Sequence, residues 1–213
     1  MIASFIDGPL WTFSLAVFVI ASVWKLIAIV ARGRPRNLAK PHYRKGGGAL
    51  ATIVRRFVPY REFRKVSRVQ LYAGYAFHLG LLALLFFAAP HVEFIAERIT
   101  GFQWTPMPHW AFILAAELAL GGLLFLLLYR LMNPVTRYLS SKGDYLASTL
   151  VFLVMLTGCF ALWRSHESLR LIHLFLAEMM LLYFPFSSLM HALAFPFSRG
   201  FTGAIYHRKG VNL

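Results

Sequence analysis

The stretch HLFLAEMMLLYFPFSSLMH, His173 to His191, decides how this chain is to be read. It is apolar for the length of a membrane crossing, it begins and ends with histidine, and its one charged residue is Glu178. A hydrocarbon core of about 30 Å needs roughly 20 apolar residues per helical crossing. Working outward, four further blocks of that kind lie near 9–31, 69–90, 110–130 and 144–163, and the block around the quoted stretch extends over 169–195. Hydrophobic residues make up 59% of the 213 positions and charged residues 14%, the composition of a chain solvated by lipid. The expected fold is therefore an all-α integral membrane protein of five transmembrane helices, a single membrane domain over 1–213.

Net charge is +14, and the placement of the charges explains it. The basic loop 32–68 holds twelve Lys and Arg against one acid, Glu62. With Arg130, Arg137, Lys142, Arg199, Arg208 and Lys209, eighteen basic residues fall on one side of the expected membrane. Only Arg98, Arg164 and Arg170 fall on the other, together with Asp7, Glu93, Glu97 and Glu167. By the positive-inside rule the N-terminus is outside and the C-terminus cytoplasmic, in a cell inner (plasma) membrane. Topology accounts for the basic balance without nucleic acid. The N-terminal block has no positive charge before it and basic residues after it, so it reads as the first membrane helix and not as a cleaved signal. Within the loop, Ala49 to Val58 is apolar and flanked by arginines, which suits an interfacial helix on anionic lipid or a seat for a partner subunit. Trp104 and Trp110 sit at interfacial positions in and after the outer loop and read as anchors.

Histidines inside membrane helices need a reason to be there. His173 and His191 are eighteen residues apart. On one ideal helix that is about five turns, which puts both imidazoles on one face about 27 Å apart, one near each membrane surface. Two depths on one face are what two stacked haems require, each iron taking an axial imidazole from each of two facing helices. Antiparallel packing then pairs His78 with His191 around an inner haem and His91 with His173 around an outer one. An ideal helix turns His91 about 140° away from the direction of His78, and a kink at Pro90 lessens that mismatch. The single cysteine, Cys159, rules out covalent c-type attachment or iron–sulfur ligation by this chain alone. Glu117 on the third helix and Glu178, about one helical turn beyond His173, are candidate proton acceptors, at a quinone site should the chain handle a quinone. The other classes weighed are a transporter or channel-type bundle, which needs polar or broken helices around a cavity, and a haem-free membrane anchor for a soluble enzyme.

The stretch His173 to His191, with its two histidines eighteen apart and its Pro185, Phe186, Ser187, Leu189, His191 pattern, resembles the fifth helix of the gamma subunit of respiratory nitrate reductase. It is similar also to the membrane cytochromes of the Dsr complex and of membrane-bound heterodisulfide reductase. FHLGLLALLFFAAPH, Phe77 to His91, is similar to their second helix. The resemblance implies a five-helix b-type cytochrome with two haems b, which passes electrons between the quinone pool and a cytoplasmic iron–sulfur or catalytic subunit. It implies His78 and His191 as inner ligands and His173 as an outer one. The chain departs at the fourth ligand: nitrate reductase gamma subunits carry a second histidine ten residues after the first, where this chain has Ala88, and His91 is the nearest replacement.

Overall fold

The structure is a computed structural model that describes residues 1–32, 47–59, 64, 65, 67–164 and 166–211, with the backbone alone at 163 and 164. Every regular element among them is helical. In chain order, α1 (Ile2–Phe5) runs through a π-turn at Ile6–Leu10 into α2 (Trp11–Ala31), followed by α3 (Ala49–Arg55), α4 (Arg68–Phe87) and α5 (Ala89–Ile95). A second π-turn at Ala96–Thr100 leads towards α6 (His109–Met132), α7 (Pro134–Leu139), α8 (Lys142–Arg164) and α9 (Glu167–Tyr183). Two 3-10 turns, Phe184–Phe186 and Ser188–Met190, precede α10 (His191–Arg208).

Five helical stretches among the described residues are long and apolar enough to cross a membrane: Ile2–Ala31, Arg68–Phe87, His109–Met132, Lys142–Leu162 and Glu167–Phe186. They fall where the apolar blocks lie, so the all-α, five-helix plan of a membrane protein holds. Their outward surfaces are apolar as well: Ile20 and Trp24 on α2 are each 70% exposed and Leu79 on α4 is 65% exposed. Such a surface is tolerable in lipid, where a helix satisfies its backbone groups internally.

Two expected helices are interrupted. The second does not continue to residue 90 with a kink: α4 stops at Phe87, Ala88 is extended (φ −64°, ψ 134°), and α5 starts afresh. Pro90 lies in the first turn of α5, where its missing N–H removes no helical bond. A helix that stops inside apolar surroundings leaves its last carbonyls in need of donors. Here Leu84 O accepts from Ala88 N–H (3.2 Å) and from His91 Nδ1 (2.9 Å). Phe86 O accepts from Trp104 Nε1 (2.7 Å) and Phe87 O from Met107 N–H (2.8 Å). Trp104, expected as an anchor, thus caps the end of α4.

The fifth helix is likewise not continuous over 169–195. It ends at Tyr183, the backbone is extended at Ser187 (φ −118°, ψ 178°), and a new helix begins at His191 and runs on to Arg208. Pro185 supplies no N–H, and Ser187 Oγ accepts from Leu189 N–H at 3.2 Å, a local bond that competes with the helical one. The single-face geometry expected for His173 and His191 on one ideal helix therefore does not apply.

The chain divides into two compact units. One comprises Met1–Asp7 and Ser67–Met180. In it α4 lies closely along α6 because glycine occupies the contact on each helix. A Cβ on Gly80 would stand 2.5 Å from Ala115 O, and one on Gly122 would stand 2.7 Å from Ala73 O. Small residues at such positions let helix backbones approach and gain dispersion contact, the main source of helix association in lipid. Helix α6 also packs on α8, and Ala115, Ala116, Ala119, Ala147, Val151, Val154 and Met155 are buried in this unit.

The other unit comprises Gly8–Val66 and Leu181–Leu213. There α3 packs on α10 with Thr52 buried against Gly203, and Gly48, with φ 80°, turns the chain into α3 beside His207. The apolar segment expected at the interface is helical over Ala49–Arg55, and Leu50, Val54 and, after the helix, Phe57 and Val58 are exposed. The Arg199 guanidinium lies over the rings of Phe57 (5.0 Å) and Phe195 (5.3 Å). Helix α2 meets the first 3-10 turn through an edge-to-face pair of Phe18 and Phe184, 5.2 Å between ring centres.

Candidate functional site

His91 and His173 meet in the first unit. Their ring centres are 6.1 Å apart and their planes are 22° from parallel. The break after Phe87 makes this possible: on an unbroken helix His91 would point away, whereas the fresh start at Ala89 turns it towards α9. The Nδ1 of His91 faces Leu84 O at 2.9 Å, and the Nδ1 of His173 faces Val154 O at 3.0 Å, with Thr157 Oγ1 at 3.5 Å. A carbonyl oxygen only accepts, so each Nδ1 carries a proton, which in the neutral ring leaves the lone pair on Nε2. The His173 ring lies against α8 at Gly158, where an added Cβ would stand 3.0 Å from Cε1.

This is how metal-ligating histidines are held: the second nitrogen donates to a carbonyl, which sets tautomer and ring orientation. Among the described residues no group of three or more His, Cys, Asp or Glu is gathered to hold an ion. Two imidazoles are fewer ligands than a tetrahedral ion needs, and they would suit a metal that brings its remaining ligands with it, as the iron of a haem would. The residues present therefore fit a haem.

The other two expected ligands carry the same local feature. His78 Nδ1 faces Gly74 O at 2.7 Å and His191 Nδ1 faces Ser188 O at 2.5 Å, and both residues are exposed. His78 belongs to the first unit and His191 to the second. His109 is exposed and stacked on Phe112.

The two candidate proton acceptors part company. Glu117 is exposed on α6, so the burial implied by its place within the third helix is not found. Glu178 is 2% exposed on α9, and its Oε2 has no hydrogen-bond partner. A group of charges missed as a cluster in the sequence stands at the start of α9. Arg170 forks onto both carboxylate oxygens of Asp7 (2.8 Å each) and onto Glu167 (2.9 and 2.6 Å). The spacing of Glu167 and Arg170 shows their pairing, but nothing local connects Arg170 with Asp7, 163 positions away. Asp7 itself sits in the first π-turn.

No family model matches the chain. A protein of Nitratidesulfovibrio vulgaris (strain Hildenborough), described simply as a protein, is 27% identical over 214 residues, covering 97% of this chain and 94% of its own length.

Proposed function

We propose that this chain is a membrane-embedded b-type cytochrome that holds haem between His91 and His173. In this reading it relays electrons between a membrane quinone and an iron–sulfur or catalytic partner on the cytoplasmic side. The observation that carries the proposal is the facing pair of imidazoles, each with Nδ1 committed to a backbone carbonyl on a different helix. When bound, the haem supplies a one-electron ferric/ferrous couple. The chain's own part is to set both tautomers through Leu84 O and Val154 O and to admit the His173 ring at Gly158. His78 and His191, each with its Nδ1 directed to a carbonyl in the same way, are each proposed as a haem ligand. The charge distribution supports an outside N-terminus and a cytoplasmic basic face in a plasma membrane.

The test is the visible spectrum of the purified full-length protein. A reduced b-type spectrum is expected, with about one haem per chain lost in His91→Ala and in His173→Ala, because one iron needs both imidazoles. A colourless wild-type preparation from haem-replete cells overturns the reading.

A further inference from the structure

The second unit holds a cation that no described anion answers. Arg199 lies on α10, where Gly200 and Gly203 let α3 come close: a Cβ on Gly203 would collide with Thr52, and one on Gly200 would touch Ile53 Cδ1 at 3.4 Å. The two helices run in opposite directions, with Gly48 beside His207 at one end and Phe57 beside Arg199 and Phe195 at the other. The guanidinium is 5.0 Å from the Phe57 ring centre and 5.3 Å from that of Phe195. Aromatic rings attract its charge but supply no oxygen acceptor. Its Nη1 is buried without a hydrogen-bond partner, and among the described residues no carboxylate pairs with it. The sequence gives the reason. The stretches that make up this unit contain a single acid, Glu62, which lies outside the described residues. A buried donor left unanswered calls for an explanation.

The surface next to Arg199 is apolar. Leu50, Val54 and Val58 follow at four-residue spacing, which sets them along one side of α3 and the turn after it, and with Phe57 they are exposed. Thr52 is buried on the side that meets α10. A cation, aromatic rings and a row of exposed aliphatic side chains together match the headgroup boundary of a bilayer. We propose that Arg199 is the binding residue for the phosphate of one anionic phospholipid, whose acyl chain lies along Leu50, Val54 and Val58. A guanidinium presents a planar fork of donors that fits phosphate oxygens two at a time, through charge-assisted bonds. Free phosphate would satisfy that fork and leave the apolar row uncovered, as would a lone carboxylate of a soluble partner; a phospholipid meets both needs. The many cations of the basic loop attract anionic lipid diffusely, whereas Arg199 provides one defined seat. The inference does not depend on haem.

Native mass spectrometry of the detergent-purified full chain, stripped of lipid and then titrated with phosphatidylglycerol or phosphatidylcholine of the same acyl chains, tests it. One phosphatidylglycerol per chain is expected to stay bound, and phosphatidylcholine, whose choline offsets the phosphate charge, to bind much more weakly. Arg199→Gln should lower phosphatidylglycerol retention roughly tenfold, the scale of one lost hydrogen bond to a charged group. Arg199→Lys should fall between, since an ammonium keeps the charge without the fork. Arg55→Gln removes the same charge from the exposed surface of α3 and should lose little. Glycerol phosphate, a headgroup without chains, should not displace the lipid. Wild-type retention by Arg199→Gln, equal losses in Arg199→Gln and Arg55→Gln, or equal binding of the two lipids overturns the site. Displacement by glycerol phosphate overturns the lipid as its source. An acidic protein held through Arg199 in a preparation that retains no lipid overturns it in favour of a partner subunit. Should Arg199→Gln fail to accumulate, Arg199→Lys takes its place, and retention equal to wild type in that variant overturns the site as well.

Discussion

At the scale of single residues, the site depends on where two imidazole N–H groups go. Leu84 O and Val154 O are backbone atoms and cannot be mutated away, but Gly158 can be filled. A methyl group there would press on His173 Cε1 at 3.0 Å, and a ring braced by its bond to Val154 O has little room to give. Gly158→Ala is therefore expected to lower haem occupancy or shift the haem reduction potential while the protein still inserts. Haem per chain and a redox titration of the purified variant check this, and an unchanged potential at full occupancy would remove Gly158 from the site. The histidines themselves were legible in the sequence because ionisable side chains stand out in apolar helices. The difference between Glu117 and Glu178 was not. Both helices are apolar around most of their circumference, so no polar face tells which carboxyl turns inward, and only the packing of neighbours decides.

At the scale of elements, the two helix breaks are what the ideal-helix reading could not supply. Pro90 was visible, but a proline inside an apolar run reads equally as a kink or as the first turn of a new helix. What separates these outcomes is whether distant donors close the exposed carbonyls. Trp104 Nε1, eighteen residues away, is one such donor. Trp104→Phe keeps the ring and removes the bond, leaving Phe86 O short of a partner at a cost of ~1–3 kcal/mol. The variant should show a lower thermal midpoint and weaker haem retention, since the same break carries His91; a midpoint equal to wild type would mean that the end of α4 does not need this cap. At Pro185 the same ambiguity hid the end of α9, and Ser187 settles it by bonding to Leu189 N–H instead of continuing the helix. The close approach of α4 and α6 gives a sharper test. Gly122→Ala places a methyl group 2.7 Å from Ala73 O, and overpacking of this kind costs ~1–3 kcal/mol, enough to reduce the yield of folded protein in detergent.

At the scale of the whole molecule, the five helices long and apolar enough to cross a membrane were plain from composition, since lipid imposes length and apolarity on any spanning helix. Arg55 is exposed on the short helix α3, whose apolar side chains also face outward, and Arg56 follows it. Replacing both with Gln is expected to weaken co-purification of an acidic cytoplasmic subunit, and more so as salt rises. Retention at every ionic strength would leave lipid headgroups as their only counterpart. The glycine-to-backbone contact of α4 with α6 has a consequence for biogenesis. Both helices are complete on the ribosome well before His173 is made, so the hairpin can close and leave the insertion machinery without waiting for cofactor. The apoprotein should then accumulate in the membrane of haem-starved cells and be filled when haem returns with no new synthesis. A pulse–chase experiment under haem limitation would see this as a stable, colourless precursor that becomes coloured.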